Sequence, residues 1–218
     1  MKYLTRLSSI TLLALSGIGA GTAQAQPIQV VFDNTVNASG SIFGPACCQV
    51  GNEITLGGNA RRIVQLSWAI DGQNTDIVAD IETQIYANDG LGGAPGTLIW
   101  DSGLLTGIAV SATDTFLDIA VPEIAVPDII TVTSRFLDSA PVALGRVGGG
   151  APSVGSIDTS WIETSPGVWQ QQFGPWALRV SAVPEPSTLS LLIVAGGLLI
   201  RSSRCRVARG NEPAERIT

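Results

Sequence analysis

Apolar and polar residues alternate with a period of two along much of this chain. The clearest case is the segment 76–87, where Ile77, Ala79, Ile81 and Ile85 alternate with Asp76, Asp80, Glu82 and Gln84. A period of two places alternate side chains on opposite faces of a β-strand. The pattern therefore predicts a strand with one buried face.

Eight further segments combine similar alternation or β-branched and aromatic runs with flanking Gly, Pro and Asn. They are residues 29–32, 53–56, 62–70, 98–104, 115–121, 129–136, 142–147 and 176–182. In 62–70 the even positions, including Val64 and Leu66, are predicted to be buried. Because residues 26–182 show no convincing helical period, we expect an all-β fold, with two antiparallel sheets packed as a jelly-roll-like sandwich.

The N-terminal 25 residues have the composition of a secretory signal peptide. Lys2 and Arg6 precede an apolar stretch, and Ala23 and Ala25 form a small-residue cleavage site. We expect a signal helix, export through the Sec translocon and a mature chain that begins at Gln26.

The C-terminal region combines a proline motif, an apolar run and a basic cluster, namely Val183-Pro184-Glu185-Pro186-Ser187, residues 188–200, and Arg201, Arg204, Arg206 and Arg209. The prolines prevent a continuous helix through the motif, so a hydrophobic helix is expected only after it. Its 13 residues are fewer than the roughly 20 of a full membrane span, and the arginines favour a cytoplasmic C-terminus.

This order of motif, hydrophobic helix and basic end resembles the PEP-CTERM sorting signal of Gram-negative bacteria. The resemblance implies recognition by an exosortase, a membrane cysteine protease that cleaves at or near the motif. The protein would be anchored transiently in the inner membrane and then passed to the cell surface. An ordinary C-terminal membrane anchor is the alternative.

The predicted organisation is a signal peptide at 1–25, a β-sandwich domain at 26–182, a sorting signal at 183–209 and a disordered tail at 210–218. Several segments of the body also resemble the β-sandwich shared by one group of PEP-CTERM proteins: 53–56, 61–62, 85–90, 95–98 and 100–103. This second resemblance implies a fold and a location, and it carries no activity.

Charge separates the body from its ends. Residues 26–182 contain 15 Asp and Glu, 5 Arg and no Lys, a net charge of −10. Nucleic acids and anionic membrane surfaces both require a basic face, so neither is an expected partner. An acidic, lysine-free surface is compatible with solubility outside the cell.

Residue types exclude several chemistries. The chain has no histidine, which rules out Ser-His-Asp and Cys-His catalysis. The adjacent Cys47 and Cys48 lack the further ligands of a zinc site, and we predict no metal or cofactor. They form a candidate disulfide, either a strained functional one or one produced only by an oxidising compartment. The oxygen-rich loop 71–76 is a minor calcium alternative.

Two carboxylates form the only candidate catalytic pair. Asp80 and Glu82 share the polar face of one predicted strand, with Cα atoms about 7 Å apart. Glycosidases act through two carboxylates, but a solvated strand face is the simpler interpretation of this pair. The glycine-rich loop 88–97 lacks a phosphate-binding motif and is predicted to connect two strands.

Aromatic residues supply the candidate ligand site. Trp161 and Trp169 flank the turn 165–167, where a hairpin would present them as flat platforms for sugar rings; core packing is the alternative. The main hypothesis is a non-enzymatic cell-surface or extracellular-matrix protein associated with exopolysaccharide. The alternative is a surface hydrolase that acts on polysaccharide through paired carboxylates, and a self-associating matrix protein is a third hypothesis.

Overall fold

The computed structural model describes residues 26–36, 38, 41–43, 48–72, 74–137, 145–172 and 174–185. The predicted signal peptide with Ala23 and Ala25, Cys47, and the sorting signal from Pro186 onward lie outside these ranges. The described strands are β1 (Gln29–Asp33), β2 (Ser41–Phe43), β3 (Val50–Thr55), β4 (Ala60–Asp71), β5 (Ile77–Ala87), β6 (Leu98–Val110), β7 (Thr115–Ala125), β8 (Ile129–Leu137), β9 (Gly145–Val147), β10 (Ser156–Ser165), β11 (Val168–Gln172) and β12 (Leu178–Pro184).

The strands form two antiparallel sheets, which confirms the prediction of an all-β fold. The first sheet has the order β1-β12-β4-β9-β2, with β7 also paired to β4, and the second has the order β11-β10-β3-β8-β5-β6. The predicted signal helix and C-terminal helix fall outside the described residues. Among those that are described, no helix is long and apolar enough to cross a membrane.

A β-sandwich core lies between the two sheets. Its fully buried side chains come from both of them and include Phe32, Ile63, Leu66, Trp68 and Leu178 from the first sheet and Ile54, Ile81, Ile85, Ile130 and Val132 from the second. The alternation predicted for 76–87 is confirmed, because Ala79, Ile81 and Ile85 are buried. Alternate side chains of each strand therefore face either the core or the outside of the sandwich.

Bulges explain where the predicted pattern fails. In β4 the register with β12 shifts between Ile63 and Gln65, so Val64 is an extra residue in the ladder. Ile63 is buried and Val64 only half-buried, which makes the prediction for Val64 wrong. Two core-facing residues on either side of a bulge no longer obey a period of two.

A register shift also explains why the sequence pattern did not predict β10 as a strand. Ile157 and Ile162 both pack against the core although one position is odd and the other even. The register with β3 shifts between Ile157 and Thr159, which reverses the alternation between them. β2 and β11 were also absent from the predicted strands; the turn at Pro166 and Gly167 does join β10 to β11 in a hairpin, as expected.

The final strand contains the start of the proline motif. β12 continues through Val183 and Pro184, which pair with Arg62 and Ala60 of β4. Both residues are half-buried, and Glu185 is exposed. The sandwich thus extends two residues beyond the boundary predicted at 182, and the chain reaches the surface within the motif.

Two buried asparagines hold the segment that leads into β12. Asn52, on the inner face of the second sheet, donates to the Trp176 carbonyl oxygen at 2.7 Å and accepts from the Trp176 amide at 2.9 Å. Asn34 donates to the same carbonyl at 3.0 Å and accepts from the Leu178 amide at 2.7 Å. Both side-chain amides are fully buried, so they pair backbone groups that bulk solvent does not reach.

We expect Asn52→Ala to lower the free energy of unfolding by about 1 to 3 kcal/mol, because it leaves the buried Trp176 amide without its acceptor. Urea denaturation followed by far-ultraviolet circular dichroism measures this change. Gln170→Ala, at an exposed position of β11, is the control and should change the value by less than about 0.5 kcal/mol. Equal effects of the two substitutions would contradict the role given to Asn52.

Candidate functional site

The face of the second sheet that points away from the core carries the candidate site. Across neighbouring strands one row of this outer face contains Gln84, Thr133, Gly51, Trp161 and Gln171, in that order. This face of the sheet thus carries polar and aromatic side chains, whereas the inner face carries mainly aliphatic ones. We call this surface the outer face of the second sheet.

Trp161 is buried within this surface. It is only 5% exposed, and its Nε1 donates to a carboxylate oxygen of Glu53 at 2.8 Å. Its neighbour on β3 is Gly51, where a Cβ atom would overlap the Val132 carbonyl oxygen. Trp161 therefore packs against the sheet and offers no open ring face to a ligand.

Trp169 is in a different position. It is half-buried, and its ring meets the ring of Tyr86 edge-to-face, with centroids 5.5 Å apart and planes inclined by 71°. Aromatic pairs favour this geometry because the positive edge of one ring faces the negative face of the other. Of the two predicted platform residues, only Trp169 retains accessible ring surface.

The pairing of these two rings shows that the outer face is concave. Tyr86 belongs to β5 and Trp169 to β11, and three strands lie between them. Strands about 4.8 Å apart would separate the two backbones by about 19 Å in a flat sheet. The rings meet because the sheet curves towards its outer side and both side chains lean inward.

Buried amide and hydroxyl groups occupy the centre of the concave face. The Gln49 side-chain amide donates to Gln84 Oε1 at 2.6 Å and to Thr133 Oγ1 at 2.5 Å, and it lies 3.3 Å from the Tyr86 hydroxyl. The Tyr86 hydroxyl in turn donates to Gln84 Oε1. This network fixes the orientation of the Tyr86 ring and, through the ring contact, that of Trp169.

Carboxylates surround the aromatic pair. Glu82 is bound by the Arg135 guanidinium through two hydrogen bonds, and Asp101 accepts from the Gln84 amide at 2.7 Å. Glu163 stands opposite Trp169 in the β10–β11 ladder. With Arg135 already paired, the rim of the concave face is acidic.

This environment shifts the titration of Tyr86. Burial raises the pKa of the Tyr86 phenol above its usual value of 10.0, although the hydrogen bond from Gln49 lowers it in part. The negative charges of Glu163, Asp101 and Glu82 raise the pKa further, because they disfavour the phenolate. Tyr86 is therefore a neutral hydrogen-bond donor at physiological pH.

The predicted carboxylate pair lies on the same face, nearer its β6 side. Asp80 accepts a hydrogen bond from the Gly107 amide at 2.9 Å, and Glu82 is held by Arg135. Both carboxylates are half-buried. Each is thus engaged by a group of the protein in the described structure.

The remaining predicted sites receive little support from geometry. Within the described residues, no group of three or more Cys, Asp or Glu is arranged to hold a metal ion. In the loop 71–76, Asp76 accepts from the Ala112 amide at 2.8 Å. Cys48 is half-buried, and its pairing with Cys47 falls outside the described ranges.

Sequence reasoning missed most of this site. Tyr86 carried a usable signal, because it is an aromatic residue on the polar side of a strongly alternating strand. Gln49 and Thr133 carried none, because amides and hydroxyls are common on solvated strands. Gln49 and Thr133 contact Gln84 only because of the order of the strands in the sheet. A local sequence pattern does not reveal that order.

We expect the Tyr86 phenol to titrate with a midpoint above 10.0. The chain has two tyrosines, Tyr3 and Tyr86, so subtracting the tyrosinate absorbance of Tyr86→Phe isolates the curve of Tyr86. Glu163→Gln should lower the midpoint because it removes one negative charge from the surroundings. A wild-type midpoint at or below 10.0 would show that the phenol is solvated.

No protein-family profile, curated protein or solved structure matched the chain. The functional interpretation therefore depends on the residues and geometry of this chain.

Proposed function

We propose that this protein is a non-enzymatic, exported protein of the cell surface or extracellular matrix that binds exopolysaccharide on the outer face of its second sheet. The main observation in support of polysaccharide binding is the Tyr86–Trp169 pair on a concave surface. Sugar rings present apolar C–H faces that stack on aromatic rings, and their hydroxyls bond to amides and carboxylates. Both kinds of group occur together here.

The geometry also favours an extended ligand over a small one. The concave face spans several strands, and its polar groups, among them Gln84, Asp101 and Glu163, lie on three of them. The buried Gln49 network orients the aromatic pair before any ligand arrives, which reduces the entropy lost on binding. A polysaccharide chain fits such a surface better than a compact cofactor does.

Export and sorting form the second part of the proposal. It is supported by the N-terminal signal pattern, by the PEP-CTERM resemblance and by the exposure of Glu185 directly after β12 ends at Pro184. This proposal includes the two flanking helices, processing by an exosortase and a transient anchor in the inner membrane. It also includes the jelly-roll connectivity of the sandwich.

A polysaccharide hydrolase remains the alternative function. It would use Asp80 and Glu82, which share one face of β5. The engagement of Glu82 by Arg135 and of Asp80 by the Gly107 amide favours a structural role for both. Release of reducing ends from a polysaccharide, abolished by Asp80→Asn and Glu82→Gln, would support the alternative.

We expect Trp169→Ala to weaken polysaccharide binding about tenfold, because losing one stacked aromatic contact costs on the order of 1.4 kcal/mol. Calorimetric titration with exopolysaccharide from the native cell and with neutral glucans measures the change. Trp169→Phe should restore much of the affinity, and Val168→Ala, an exposed residue on the other side of β11, should leave it unchanged. Absence of binding by the wild type would refute the ligand proposal.

We expect the exported protein to begin at Gln26 and to end within or just after the motif 183–187. Mass spectrometry of the intact protein purified from its native cell gives both termini at once. Replacing Pro184 and Pro186 together by alanine should leave a longer C-terminus, because the sorting motif is lost. An exported wild-type chain that extends past Arg201 would contradict exosortase processing and indicate a stable membrane anchor.

A further inference from the structure

The strand β11 forms one edge of the second sheet. It pairs with β10 through a regular antiparallel ladder from Glu163–Trp169 to Ser160–Gln172. Within the described ranges, no strand pairs with its other side. An edge strand presents unpaired backbone N–H and C=O groups that can accept a further strand.

The composition of β11 suits strand addition. Its five residues, Val168-Trp169-Gln170-Gln171-Gln172, include no charge, no proline and no glycine. Short uncharged segments of high β-propensity pair readily with identical segments, and glutamine side chains add hydrogen bonds between neighbouring strands. Gln170 and Gln171 are both exposed.

The other long edges carry features that oppose pairing. The free side of β1 is occupied by backbone bonds from Gly57 to Val31 and between Asp33 and Val154. β7 contains Pro122, which lacks an N–H, and β6 has three register shifts against β5. Bulges and prolines are common protections of sheet edges. β11 contains no proline, and its register shift against β10 lies at the hairpin turn, between Glu163 and Ser165, so the ladder from Trp169 to Gln172 is uninterrupted.

Charge determines which partner fits this edge. The body carries a net charge of −10, so two copies repel each other over most of their surfaces. The uncharged strip along β11 is a place where two copies approach without bringing carboxylates together. A neutral edge on an acidic body therefore suits a second copy of the same chain.

We propose that β11 of one molecule pairs with β11 of a second copy in an antiparallel arrangement about a twofold axis. We place this axis perpendicular to the sheet and beside Gln170, the middle residue of β11, so that position 170 of one chain lies near position 170 of the other. The second sheets of both molecules then form one continuous sheet. The two Tyr86–Trp169 pairs lie on the same side of it, although the pairing does not depend on any ligand.

The expected affinity is modest. Two five-residue strands bury less than the roughly 1,200 Å² of a standard stable interface. The pair should therefore form reversibly and become populated only at high protein concentration. A crowded matrix at the cell surface would supply such concentrations.

The test is sedimentation equilibrium of the full chain in a non-ionic detergent over a wide concentration range. We expect a monomer–dimer equilibrium whose dissociation constant rises about tenfold or more in Gln170→Lys, because like charges then face each other across the new ladder. Gln171→Lys is the second variant. Near-ultraviolet circular dichroism establishes that each variant is folded.

The control is Thr106→Lys, an exposed position on the β6 edge. Thr106→Lys changes the net charge by the same amount as Gln170→Lys, so a general electrostatic effect would appear in both variants. We expect Thr106→Lys to keep the wild-type dissociation constant. Hydrogen exchange of the β11 amides should slow as the dimer forms. A wild type that stays monomeric, a dimer unaffected by either β11 variant, or unchanged exchange in β11 would overturn the proposal.

Discussion

The structure depends on the hydrogen bonds that hold the crossing from β11 to β12. Here the chain leaves the second sheet and enters the first, and its backbone groups are buried between them. Asn52 binds the Trp176 backbone from the inner face of the second sheet, and Ser160 donates to the Gly174 carbonyl at 2.8 Å. An unpaired buried amide would cost about 1 to 3 kcal/mol, so these side chains determine where the crossing runs.

The candidate site lies on the strands next to this crossing. β11 ends at Gln172, just before the crossing, and Trp169 lies on the same strand. Gly51 contributes a close approach of backbones on β3, and Trp161 covers it on the outer side. The sheet can then curve until Trp169 meets Tyr86, and the Gln49 network holds the meeting point. Packing and the proposed ligand site thus share one set of contacts.

The two tryptophans of the hairpin show how one strand pattern leads to two roles. Trp161 and Trp169 are both on the outer face, and they flank the same turn in the sequence. Trp161 is closed off by Glu53 and its neighbours, whereas Trp169 lies on the edge strand and keeps part of its ring exposed. An aromatic residue on an inner strand of the sheet, such as Trp161, therefore has a structural role. One on the edge strand, such as Trp169, can also contact a partner.

Local chemistry in the sequence was sufficient for the all-β fold, for most strands and for the acidic character of the body. Alternation of side chains, turn residues and charge counts act over a few residues, so a linear sequence displays them. The bulges and the meeting of Gln49, Gln84, Tyr86, Thr133 and Trp169 were not predictable in this way. They arise from strand order and sheet curvature, which depend on hydrogen bonds and core contacts between residues up to 146 positions apart.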